Sequence, residues 1–96
     1  MESRQQILNT LVGIRPQLSE KFAVSTIGLF GSALRDDYSP NSDIDIIVDF
    51  SRPVGIEFID LAEFLESKFN RRVVLISRKG INSKFFDLIK SEIQYV

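Results

Sequence analysis

Residues 31–45 read GSALRDDYSPNSDID, and two features of that stretch govern the rest: the Gly31-Ser32 pair that opens it and the Asp43-Ile44-Asp45 triplet that closes it. Side chains on a strand alternate between faces, so on a strand over 43–50 both carboxylates project to one side, roughly 6.6 Å apart at about 3.3 Å per residue. Hard cations such as Mg²⁺ take oxygen ligands and are commonly held by one or two carboxylates together with the phosphates of a substrate. The spacing therefore points to metal-assisted chemistry on a nucleotide. A glycine permits positive φ and close approach by a ligand, and the amides that begin a following helix hold phosphate oxygens. Ser32 adds a hydroxyl donor. Neither a Gly-Ser turn nor an Asp-x-Asp pair is specific alone; their combination, in this order and beside two apolar strands, is.

Apolar segments on either side supply those strands. Residues 24–30 are short, apolar and β-rich and end at the Gly-Ser turn, which reads as a buried strand. A short helix is expected over 32–37. Turn formers crowd 38–42 and deliver the chain into a second strand over 43–50, with Ile44, Ile46 and Val48 on one face and the two acids starting the other. Before this unit, Ile7, Leu8, Leu11, Val12, Ile14 and Leu18 recur at helical spacing, predicting an amphipathic helix over 2–21. Gly13 and Pro16 predict a kink or break at 13–15, because a proline inside a helix removes a backbone hydrogen bond. After the loop 51–55, Ile56, Ile59, Leu61, Ala62, Leu65 and Phe69 mark a second amphipathic helix ended by Asn70. A third strand over 72–77, a third helix over 82–90 and a terminal strand over 92–96 complete the pattern. The expected fold is α/β (α+β): a small mixed β-sheet packed against helices, in a single domain spanning 1–96.

Composition narrows the chemistry. The 96 residues include 44% hydrophobic and 26% charged residues, with a formal net charge of −1. That balance gives no global attraction to nucleic acid or membrane, and favours a free nucleotide or a protein partner over a long polynucleotide. The chain has no cysteine and no histidine. Thiolate nucleophiles, Cys-based zinc sites and the commonest general base are therefore absent, and catalysis must run on carboxylates and a metal. No charged leader with an apolar core and no membrane-length apolar run is present, so a cytoplasmic location is expected.

Other Asp-x-Asp chemistries fit poorly. A phosphatase-type aspartyl nucleophile ends an apolar strand, whereas here the acids begin one. A P-loop needs a second glycine and a lysine that GSALRDD lacks.

The run LFGSALRDDYSPNSDIDIIVDF, with FSRPVGIEFIDLAEFLES, RRVVLIS and the closing EIQYV, resembles the minimal nucleotidyltransferases, or MNT proteins, of the DNA polymerase β superfamily. The resemblance covers nearly the whole chain. It implies a polymerase β-like nucleotidyltransferase fold and transfer of a nucleoside monophosphate, AMP from ATP, to a protein acceptor. It implies that Gly31, Ser32, Arg35 and Ser42 bind the nucleotide, and that Asp43 and Asp45 are catalytic and hold Mg²⁺ as cofactor. It also implies the antitoxin role in a two-gene module whose partner is a HEPN-domain ribonuclease toxin; self-association remains an open expectation.

The sequence departs from the family pattern in two places. The family usually carries a third carboxylate in a run similar to R-x-V-D-L-V, where this chain has Val74 in RRVVLIS. Valine cannot ligate a metal, so transfer is expected to be slow or absent unless another acid substitutes. Leu34-Arg35-Asp36 replaces the more usual Ala-Arg-Gly and narrows the expected triphosphate pocket. Asp49 shares parity with Asp43 and Asp45 but lies about 13 Å beyond Asp45. Glu57, Asp60 and Glu63 fall on the polar side of the second helix. Arg71, Arg72, Arg78 and Lys79 bracket the third strand, as solubilising charge or as a docking patch for phosphate or an acidic partner. Phe58, Phe64, Phe69, Phe85 and Phe86 read as core, with any contiguous exposed set marking an interface. Two further readings stay open: a catalytically weakened nucleotide-binding module that neutralises a partner by contact, and nucleotide addition to a small molecule.

Overall fold

A computed structural model describes residues 4–31 and 43–96. The elements run α1 (Arg4–Phe22), β1 (Val24–Phe30), β2 (Ile44–Phe50), α2 (Ile56–Phe69), β3 (Val73–Ser77), α3 (Ser83–Ile89) and β4 (Gln94–Tyr95). They build a four-stranded mixed sheet in the order β3-β2-β1-β4. β1 is antiparallel to both β2 and β4, and β2 is parallel to β3. Parallel neighbours cannot be joined by a tight turn, and α2 supplies the crossover. The expected helices and strands thus form within one or two residues of their anticipated ends. The helix expected at 32–37 and the turn at 38–42 lie outside the described residues.

The sheet's alternation divides the apolar residues between two clusters. Ile27 and Leu29 of β1, Ile44, Ile46, Val48 and Phe50 of β2, and Val73 of β3 face α1 and α2 in the larger one. Phe30 and Ile47 point the other way and pack with Ile89 of α3, joined by partly buried Ile76 and Phe86. Each side chain of this kind, fully buried, stabilises the fold by about 1.5–3 kcal/mol. The second face is smaller because α3 is only seven residues long.

The helix ends follow local chemistry. Asn70 closes α2 in the left-handed conformation, with φ 52°, which asparagine tolerates better than most residues. At the other end of α2, Gly55 has no side chain to cap with, and the Glu57 carboxylate accepts from the Gly55 amide at 3.1 Å and from Arg52 at 3.0 Å. A hydrogen bond with its own backbone, then those from Gly55 and Arg52, hold the Glu57 carboxyl below its ordinary range. Asn82 caps α3 by accepting from the Lys84 amide at 2.7 Å.

Of the kink or break expected at 13–15, the break does not form. α1 runs without interruption through Gly13 and Pro16. Its apolar stripe, Ile7, Leu8, Leu11, Ile14, Leu18 and Phe22, is buried on both sides of the proline, while Gly13 and Pro16 face solvent. Burial of that stripe outweighs the missing amide, whose would-be acceptor belongs to exposed Val12. Pro16→Ala is therefore expected to stabilise the protein by about 1–3 kcal/mol, measured by chemical denaturation, with helix content by circular dichroism unchanged or higher.

Candidate active site

Antiparallel pairing sets Phe30, the last residue of β1, opposite Asp45 of β2. Parallel pairing sets Val74 of β3 against the other side of Asp45. Directly paired residues share a face, so Phe30, Asp45 and Val74 form one row across three strands at the end where β2 begins. The next row inward, Gly28, Ile47 and Ile76, is the floor of the smaller apolar cluster. Asp45 thus stands where the second face stops being core.

Gly31 follows Phe30 and turns the chain with φ +67°. A Cβ built there would overlap Asp45 Oδ2. The position excludes a side chain twice over, by its backbone conformation and by the carboxylate that fills the space. Asp43, just ahead of β2, is partly exposed and lies 3.9 Å from Arg72 Nε through its Oδ2. Such a loose, solvated pair contributes about 0–1 kcal/mol. Of the residues expected to bind nucleotide, Gly31 is therefore placed against Asp45, whereas Ser32, Arg35 and Ser42 lie outside the described residues.

The remaining acids are held elsewhere. Asp49 sits toward the far end of β2, where its Oδ1 accepts from the Phe50 amide at 2.9 Å. Glu57, Asp60 and Glu63 belong to α2, which packs against the opposite face of the sheet through Leu61, Leu65 and Phe69. Among the described residues no group of three acids, histidines or cysteines is arranged to hold a metal. Among the described residues the hard oxygen donors at this end of β2 are Asp43 and Asp45, and that donor set suits a cation of the Mg²⁺ type rather than a softer metal.

The four cations that bracket β3 do not form one patch. Arg72 approaches Asp43 at one end. At the other, the Arg78 guanidinium lies 3.6 Å from the Phe86 ring centroid. Lys79 borders a depression of about 500 Å³ lined also by Asp49, Phe50, Val54 and Phe58, to which Asp43 and Asp45 contribute nothing. The phenylalanines also separate. Phe69 is buried, Phe58, Phe64 and Phe86 pack partly against the two clusters, and Phe85 is left 42% exposed.

The row Phe30-Asp45-Val74 was not readable from sequence, because register across the 31–43 connection leaves no local mark. Strand parity alone does place Phe30 and Asp45 on compatible faces.

The nucleotidyltransferase domain family matches residues 11–95, and the chain belongs to that family. It is 35% identical over 97 residues to the protein adenylyltransferase MntA of Thermococcus cleftensis, covering all of this chain and 98% of the relative. A solved structure described as a candidate minimal nucleotidyltransferase superposes with a TM-score of 0.81 at 19% identity, over 97% of this chain and 95% of that one. The MNT antitoxin complex with tri-AMPylated Shewanella oneidensis HEPN toxin gives a TM-score of 0.70 at 22% identity, over 96% and 70% of the two chains. Those likenesses establish the fold as that of the minimal nucleotidyltransferases.

Gly31→Ala is expected to destabilise the protein by at least about 1 kcal/mol, since left-handed backbone alone costs an L-residue that much. It should also weaken binding of a magnesium–nucleotide complex, because Asp45 must move. Denaturation and calorimetric titration of the same variant check the two effects.

Proposed function

We propose that this protein transfers AMP from ATP to a HEPN-domain partner protein and so acts as the antitoxin of a toxin–antitoxin pair. The observation that carries the reading is the placement of Asp45 against Gly31, with Asp43 two residues before it, at the end of the sheet where β2 begins. The 35% identity to a protein adenylyltransferase across the full chain supports the reaction class. The likeness to complexes of an MNT antitoxin with its HEPN toxin supports the kind of partner.

In this proposal Asp43 and Asp45 hold a divalent cation, which when bound neutralises charge on the triphosphate. Gly31 lets a phosphate approach the backbone, and Ser32, Arg35 and Ser42 contribute further donors to it. A hydroxyl of the acceptor attacks the α-phosphorus, the bond to the bridging oxygen of pyrophosphate breaks, and the hydroxyl proton leaves to solvent or to a carboxylate. Val74, beside Asp45 and 36% exposed, offers no base for that proton. This favours a second reading, in which the protein binds nucleotide yet silences its partner by contact. No helix of the described residues is long and apolar enough to cross a membrane, which is compatible with work in the cytoplasm.

The test is to incubate the protein with Mg²⁺, ATP and the product of its neighbouring gene and weigh both by intact mass spectrometry. AMP additions on the partner are expected; a tightly bound but unmodified partner contradicts transfer and favours contact. Val74→Asp is expected to raise the transfer rate by roughly 10²-fold, the lower range for a positioned general base. Three carboxylates repel one another without a counter-ion. The same variant should therefore melt lower than the parent in EDTA and recover on adding Mg²⁺, as read by differential scanning calorimetry.

A further inference from the structure

The face that carries Asp45 also carries an aromatic ring that the fold leaves partly open. Phe30, paired with Asp45, is buried, and its ring meets that of Phe85 nearly edge to face, with centroids 6.4 Å apart and planes at 82°. Such a pair restrains the second ring beyond the area it buries. Phe85 keeps 42% of its surface exposed, and Leu88, one helical turn further along α3, is 76% exposed. The neighbouring ring, Phe86, is by contrast closed over by the Arg78 guanidinium. Phe85 is therefore a partly exposed ring that packs on Phe30, the residue paired with Asp45.

We infer that Phe85 is the surface on which the base of the nucleoside triphosphate stacks, a substrate-binding role that rests on reading Asp43 and Asp45 as the phosphate end of a nucleotide site. A nucleotide's base sits one sugar away from its α-phosphate. With the phosphates at Gly31 and Asp45, the base would reach toward the ring that packs on Phe30, the residue paired with Asp45. Stacking on a phenyl ring uses the π-face that every base has. Phe85 thus supplies affinity for a base without selecting which base, and Leu88 extends the apolar ledge beside it.

The experiment is a calorimetric titration of the full chain and of Phe85→Ala with Mg-ATP, Mg-GTP and Mg-tripolyphosphate, the last carrying the phosphates without a base. Phe85→Ala is expected to weaken ATP and GTP roughly tenfold, the loss of one base stacked on one ring, while tripolyphosphate binds as before. Phe85→Trp, which preserves a stacking face, is expected to match or exceed the parent for ATP. An equal loss for all three ligands, or no loss for ATP, overturns the inference. Weakened capture of the HEPN-domain partner with ATP binding unchanged also overturns it, and makes the ledge a protein-docking surface. If the parent binds neither ATP nor tripolyphosphate, the nucleotide reading itself fails; if it binds both equally, that reading stands and the stacking role falls.

Discussion

The carboxylate of Asp45 occupies the space that a side chain at residue 31 would need, and this one steric relation ties the end of β1 to the start of β2. Gly31 turns the chain with φ +67°, a conformation that favours glycine, and its neighbour across the sheet leaves no room for a Cβ. Asp45 in turn is held at that spot by the register that pairs Leu29 with Ile46 and Ile27 with Val48. Those four side chains are buried in the larger cluster. Slipping the register by one residue would bring them to the opposite face and the acids into the core. The hydrophobic core thus fixes the position of a polar site that lies on the other side of the sheet.

Both faces of the sheet contribute, in unequal ways. The α1–α2 face is covered along the length of the strands and supplies most of the burial. The α3 face has a short helix over Phe30, Ile47 and Ile76. Full burial of an acid on a central strand carries a desolvation cost. Here Asp43 and Asp45, at the strand's start, stay partly exposed. On α3, Phe85 and Leu88 are exposed, and Phe85 packs on Phe30 of the Asp45 row.

Much of this was legible in the residues. The apolar run ending at Gly31 gave β1 with both ends correct, and Asn70 marked the end of α2 for the physical reason the structure displays, a left-handed terminal residue. Period-two alternation separated Ile44, Ile46 and Val48 from the two acids. The break foreseen at 13–15 did not form, because local proline chemistry competes with burial of six apolar side chains along α1 and loses. The basic residues around β3 read as adjacent along the chain, yet a five-residue strand carries them to opposite ends. Hardest to foresee were contacts between distant segments: Val74 against Asp45, and Phe85 on Phe30. Both depend on register and on how α3 crosses the sheet, neither of which has a local signature.

The account stands on Asp43 and Asp45 acting together as the anionic end of a nucleotide site. The most direct test is to measure Mg-ATP affinity for the parent, Asp43→Asn and Asp45→Asn, alongside their melting temperatures. Each substitution keeps the side chain's size and removes its charge, so affinity should fall by roughly tenfold or more, in line with an opposed charge pair of 1.5–3 kcal/mol, while melting stays close to that of the parent. Unchanged affinity in both variants would contradict the account, and would leave the two acids as no more than the hydrated start of a strand.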